Sequence, residues 1–257
     1  MSRLQIRQKS PPNKNAKGNP NTRTITWKHR NKAKKLPATV LESWVDKFCQ
    51  DFELSRDRWV QVFSNVEEPF IPFELIRDVF EKIPEQYDHI FQEECPLFDR
   101  DGLTVLVYHT KDNKHEDFPF DAFSRNGNGL ICITDASFYV EENGCFGMDK
   151  SSCTEKPSKW NSDIFTHFFG DKIVSKEHYD WKYTKEGHYN YITQFLLLHE
   201  FGHKVVYKKD IDEIGKEQRY LNYEYLKEEA KANEVVMKLN PALKNIFEVD
   251  IKEILYD

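Results

Sequence analysis

His199-Glu200-Phe201-Gly202-His203 closes an apolar run, Tyr191-Ile192-Thr193-Gln194-Phe195-Leu196-Leu197-Leu198. The length of that run and its unbroken apolar second half predict a helix packed into a core rather than lying on a surface. On such a helix His199 and His203 are four apart and share a face, while Glu200 sits one step round. This is the H-E-x-x-H arrangement, in which two imidazoles hold zinc and the glutamate handles the proton of the attacking water. Two histidines and a glutamate at the end of an apolar helix are costly to bury without a metal or other partners. Gly202 lets a second backbone or a ligand come close.

The 257-residue chain has room for one large domain or two small ones and needs no staples to bury a core. Its 19 Phe and 12 Tyr supply large apolar side chains, so the polar balance does not imply disorder throughout. No stretch reaches the length of a membrane span, and residues 1–35 lack the apolar segment of a signal peptide. The five cysteines are odd in number and form no C-x-x-C pair. Together these features predict a cytoplasmic protein with no membrane partner.

Charge is unevenly placed. Residues 1–35 carry eleven Lys and Arg and no Asp or Glu, which leaves 26 basic against 43 acidic residues in the remainder. The first 35 residues read as a basic, mostly disordered arm suited to nucleic acid, to an acidic partner or to the acidic body of the protein itself. A solubilising tail is an equally simple reading, because no recognisable nucleic-acid module surrounds Trp27.

Residues 36–98 read as a helical region. Val40, Leu41, Trp44, Val45, Phe48 and Phe52 follow Pro37 at three-and-four spacing, and further helices are expected over Arg56 to Asn65, from Pro72, and around Glu85 to Cys95. The acidic balance of this region argues against a DNA-reading helix-turn-helix. Residues 99–257 read as the domain that carries the motif, with the helical region before them either a separate module or its N-terminal helices. Leu103 to Tyr108 and Gly129 to Thr134 predict strands, with Phe138 to Val140 as a third short one, and the second of these could pair with an extended peptide. Residues 141 to 190 read as long aromatic-rich loops with a short helix near Asp163 to Phe169. His167, His178 and His188 in that stretch read more readily as surface or core histidines than as ligands.

Two histidines do not complete a catalytic zinc site, which takes three protein ligands and leaves one position open. The extended metzincin string would need glycine at 206 and histidine at 209; the chain has Val206 and Lys209, which excludes that class. The alternative is a glutamate on a later helix, predicted over Tyr225 to Leu239. Glu229 lies on its inward stripe with Tyr225, Ala232, Val236 and Leu239, where a carboxylate needs a partner or a metal. Glu228 lies about 100° round the helix and stays in contention. Small Ala230 and Ala232 would let this helix approach the first.

His199-Glu200-Phe201-Gly202-His203 followed by Glu229-Ala230-Lys231-Ala232-Asn233 resembles the minimal gluzincin-type metallopeptidases, especially the ImmA/IrrE-like family. The resemblance covers roughly residues 100 to 245. It implies a zincin-like α+β fold: a small mixed sheet packed on the active-site helix, a second ligand helix, and additional N-terminal helices. It further implies His199, His203 and Glu229 as ligands of Zn2+, Glu200 as catalytic base, and Asn233 as support for a ligand histidine. Members of the family are typically cytoplasmic, and some cleave or regulate transcriptional repressors. This chain departs from them in lacking an evident helix-turn-helix and in its long segments before the motif.

The function expected is zinc-dependent hydrolysis of peptide bonds in a protein substrate. His188, Tyr189, Tyr220 and Tyr223 are the candidates for stabilising the oxyanion. Two other classes compete. One is a catalytically inactive zincin-fold binding or regulatory protein with structural zinc. The other is a nucleic-acid-associated factor working through the basic arm.

Overall fold

The computed structural model describes residues 48–92, 102–109, 120–125, 130–135 and 143–256. The basic arm and the strand expected at Phe138 to Val140 lie outside them. The described chain is a mixed α+β structure built around one five-stranded sheet. Strands β1 (Cys49–Leu54) and β2 (Arg58–Ser64) form an antiparallel hairpin. Strands β3 (Leu103–His109), β4 (Phe120–Arg125) and β5 (Leu130–Asp135) complete the sheet in the order β1-β2-β3-β5-β4. Pairing is parallel for β2 with β3 and β3 with β5, and antiparallel for β4 with β5.

The hairpin corrects the expectation of an all-helical 36–98 region. Arg56 to Asn65 is not a helix but mainly strand β2, and the end of the first expected helix is strand β1. Arg56 and Asp57 turn the chain with φ of 62° and 53°, left-handed values that a turn signal of Asn-Gly would have announced and this pair does not. Strand β2 is buried on both faces, from Val60 through Ser64. It therefore shows no period of two, and its apolar residues imitate a short helix. Because β2 pairs with β3, one sheet joins residues on either side of position 98.

Helix α1 (Phe73–Glu81) and the 3-10 segment Glu85–Gln92 are helical, as expected. A buried arginine, Arg58, ties them to the hairpin: its guanidinium donates to the carbonyl oxygens of Ile83 and Glu81 at 3.0 and 3.1 Å and lies over the Phe91 ring. Residues 143–182 are more ordered than the long loops expected. Strands β6 (Cys145–Asp149), β7 (Ile173–Val174) and β8 (His178–Lys182) form a second sheet in the order β6-β8-β7, and helix α2 (Ser158–Phe169) packs against it through Phe165 and Trp181.

The C-terminal part is helical. Helix α3 (Lys185–Tyr191) runs through a π-turn (Ile192–Leu196) into α4 (Leu197–Ile214), the helix that carries the His199–His203 motif. Helices α5 (Lys216–Leu221), α6 (Tyr225–Leu239) and α7 (Lys244–Tyr256) follow. Helix α4 is pinned to the α1 layer by Phe201, whose ring lies 5.8 to 6.1 Å from those of Phe80, Tyr87 and Phe91. Its other neighbours include α6 and strands β4 and β5. No described helix is long and apolar enough to cross a membrane.

Helices α4 and α6 touch through backbone. A Cβ placed on Gly202 would sit 2.6 Å from the Ala232 carbonyl oxygen and 3.2 Å from its Cα. The neighbour in each case is main chain, which cannot swing aside as a side chain would. Gly202→Ala is expected to lower stability by about 1–3 kcal/mol through overpacking, read as a drop in the urea unfolding midpoint; an unchanged midpoint would contradict the contact.

Candidate metal centre

The motif helix enters its site through an irregularity. Thr184 caps α3, its Oγ1 accepting from the Gly187 amide at 3.1 Å, and the π-turn then widens the helix just before His199. Widening displaces backbone carbonyls from their regular donors. Two side chains serve carbonyls there: Thr193 Oγ1 donates to Tyr189 O at 2.7 Å, and Asn240 Nδ2, from the end of α6, donates to Gln194 O at 2.9 Å. The second bond ties the C-terminus of α6 to the motif helix. Phe195, inside the π-turn, lays its ring 5.4 Å from that of His199 and limits how far the imidazole can turn.

His199 and His203 meet as the four-residue spacing requires, with their Nε2 atoms 3.1 Å apart. Glu229 reaches them from α6. Its Oε2 lies 3.3 Å from His199 Nε2 and its Oε1 3.8 Å from His203 Nε2. Glu200 is beside them, and donor atoms of His199, Glu200 and His203 all lie within 4.8 Å of one another, a group that could hold a metal ion. Both carboxylates are almost fully buried, Glu200 at 1 % and Glu229 at 3 % exposure.

The donor triangle can be compared with what a metal needs. A tetrahedral zinc with ligands at 2.0–2.2 Å separates them by about 3.3–3.6 Å. The separations of 3.1, 3.3 and 3.8 Å among His199, His203 and Glu229 bracket that edge without rearrangement of the helices. Two nitrogens and a carboxylate oxygen also make a donor set suited to zinc. The far side of His199 is fixed as well: its Nδ1 lies 2.8 Å from Asn233 Oδ1. With the amide oxygen accepting, the proton sits on Nδ1 and the Nε2 lone pair faces Glu229 and His203.

Glu228, the neighbour left in contention by the sequence, is turned elsewhere. Arg219 Nη2 donates to its Oε2 at 2.6 Å, and burial pushes its carboxyl up against the pull of that guanidinium. The remaining histidines have other surroundings. His167 is exposed on α2, and His178 pairs with Asp149 at 3.3 Å. His188 is buried, with Nδ1 2.7 Å from the Tyr183 hydroxyl and its ring stacked on Phe70. Tyr189 and Tyr223 are half-buried, and the side chain of Tyr220 lies outside the described residues. Sequence reasoning missed the π-turn, the Arg219 link and edge strand β4.

Burial pushes the His188 imidazole down from its ordinary 6.5 to about 3. A depressed folded-state value means the unfolded chain takes up the proton first, so the stability held by neutral His188 is full above pH 6.5 and is lost as pH falls towards 3. Unfolding free energy should therefore fall more steeply in the parent protein than in His188→Gln across that window, by on the order of 1 kcal/mol per pH unit; parallel curves would refute the burial. Asn233→Ala is expected to weaken metal binding by about 10–100-fold, measured by competition with a chromophoric chelator, and an unchanged affinity would mean that the His199 ring is held by other contacts. No protein-family model, curated protein or solved structure matches the chain.

Proposed function

We propose that this protein is a zinc-dependent metallopeptidase of the minimal gluzincin type, akin to the ImmA/IrrE-like family, which hydrolyses peptide bonds in a protein substrate. The observation that carries the reading is the convergence of His199, His203 and Glu229 on one point from two helices, with Glu200 alongside. The three ligands would be His199 Nε2, His203 Nε2 and a Glu229 carboxylate oxygen. A bound zinc would acidify water and polarise the scissile carbonyl.

The chain's own residues supply the rest. Glu200 follows His199 and precedes His203 by three residues, with a carboxylate oxygen close to both imidazoles, and it accepts the proton of the attacking water and returns it to the leaving amine. Asn233 keeps the His199 tautomer fixed. An inactive protein with structural zinc would have no use for a buried carboxylate beside the ligands, and Glu200 at 1 % exposure favours the catalytic reading over that one.

An extended substrate would be held by strand addition to β4. The sequence pointed instead to Gly129 to Thr134, but β5 lies between β3 and β4 and has both backbone edges engaged. Strand β4 has one partner strand among the described residues and lies against α4. Among the described residues Cys49, Cys132, Cys145 and Cys153 form no disulfide, which fits a cytoplasmic setting.

Zinc content and proteolysis test the reading together. The parent protein should hold one zinc per chain, His203→Ala should lose it, and Glu200→Gln should keep the metal while losing at least about 100-fold in rate. A parent protein with no zinc, or a glutamine variant with full activity, would overturn the assignment.

A further inference from the structure

We propose that Arg219 is a positioning residue that selects which of two adjacent carboxylates on α6 serves the histidine pair: by binding Glu228 it withholds that carboxylate from the site and leaves Glu229 to face the histidines. This rests on the metal-site reading above. Glu228 and Glu229 are consecutive, both buried, and about 100° apart around one helix. Either could in principle be brought to His199 and His203 by rotating or sliding α6. A buried carboxylate without a cation is strongly disfavoured, so whichever of the two has another cation to bind leaves the other for the histidines.

Arg219 is that cation, and it is held in place by the motif helix itself. Its side chain is buried, its Nε lies 3.7 Å from Asp210 Oδ2, and its guanidinium stands 4.7 Å from the centre of the Tyr207 ring. Asp210 and Tyr207 both belong to α4, seven and four residues after His203. From that anchorage Arg219 Nη2 grips Glu228 Oε2 at 2.6 Å. Asp210 also accepts from Lys231 Nζ of α6 at 3.2 Å, so the rotation of α6 is held by a bond independent of Arg219. Arg219 occupies the competing carboxylate, while the Gly202–Ala232 contact supplies the distance and the Asn240–Gln194 bond the far end.

The test uses the full chain, with zinc affinity measured by chelator competition and the visible absorption of the cobalt-substituted protein as a signature of ligand identity. Arg219→Gln should bind zinc at least about tenfold more weakly and change the cobalt bands, because Glu228 is released beside the site. Arg219→Gln combined with Glu228→Gln should recover most of that loss, a rescue that a purely structural role of the arginine would not give. Parental affinity and spectrum in Arg219→Gln, or a double variant as weak as the single one, would overturn the inference. A parent protein that binds no zinc would overturn the metal-site reading and this inference together, whereas the two preceding outcomes leave that reading standing. If Arg219→Gln does not fold, Arg219→Met with Glu228→Leu replaces it, since both buried charges then leave together. Parental zinc affinity in that pair supports selection; loss of zinc with the fold intact overturns it.

Discussion

The approach of two backbones at Gly202 and Ala232 is the constraint on which the rest of the site depends. A glutamate side chain is short, and Glu229 reaches both imidazoles only because α6 lies against α4 with no side chain between them at that level. The small residue is needed on one side, and the carbonyl of Ala232 fills the space a methyl group would take. Closeness alone does not aim a carboxylate, however, and the two helices are also linked at both ends of the contact. Near the start of α6 the links are ionic, through Asp210, Arg219, Glu228 and Lys231; at its end Asn240 bonds to the π-turn.

Charge and burial are in tension throughout this region. Three carboxylates, Glu200, Glu228 and Glu229, lie on two neighbouring helices, each nearly removed from water. Such groups are tolerated only beside cations or strong donors. Glu228 finds Arg219, and Glu229 faces two imidazoles whose nitrogens are spaced as ligands of one metal would be. The same burial that makes the arrangement costly strengthens each interaction within it, because little water competes.

The sequence was clearest where periodicity and chemistry coincide. Helix α6 occupies the span expected, Tyr225–Leu239, and strands β3 and β5 fall within a residue of their expected limits, because each is a long run with a single buried pattern. The stripe set Glu229 inward but left Glu228 in contention, since Arg219 lies nine residues from Glu228 in a short helix and its reach is a matter of tertiary packing. The β1–β2 hairpin was misread because its turn contains no glycine or asparagine and because β2 is buried on both faces. Strand β6 was missed for a different reason: Phe146 and Met148 do alternate inward, but over five residues the pattern is too short to stand out from a loop. The π-turn inserts a residue into the helical count, so apolar positions before and after it do not share one stripe, and no regular period could have shown it.

In the usual notation of the motif, only three of its five positions carry chemistry, and the other two are left open. Phe201 fills one of those open positions here and is fully buried among Phe80, Tyr87 and Phe91, holding the motif helix to the layer that borders the sheet. Gly202 fills the other, where any larger residue meets main chain. The pentapeptide therefore has no spare letter: two residues bring their imidazoles together, one sets a buried carboxylate beside them, and the remaining two join the helix to different neighbours. For this chain the informational content of the motif is five residues rather than three, and its mechanical share is as strict as its chemical one.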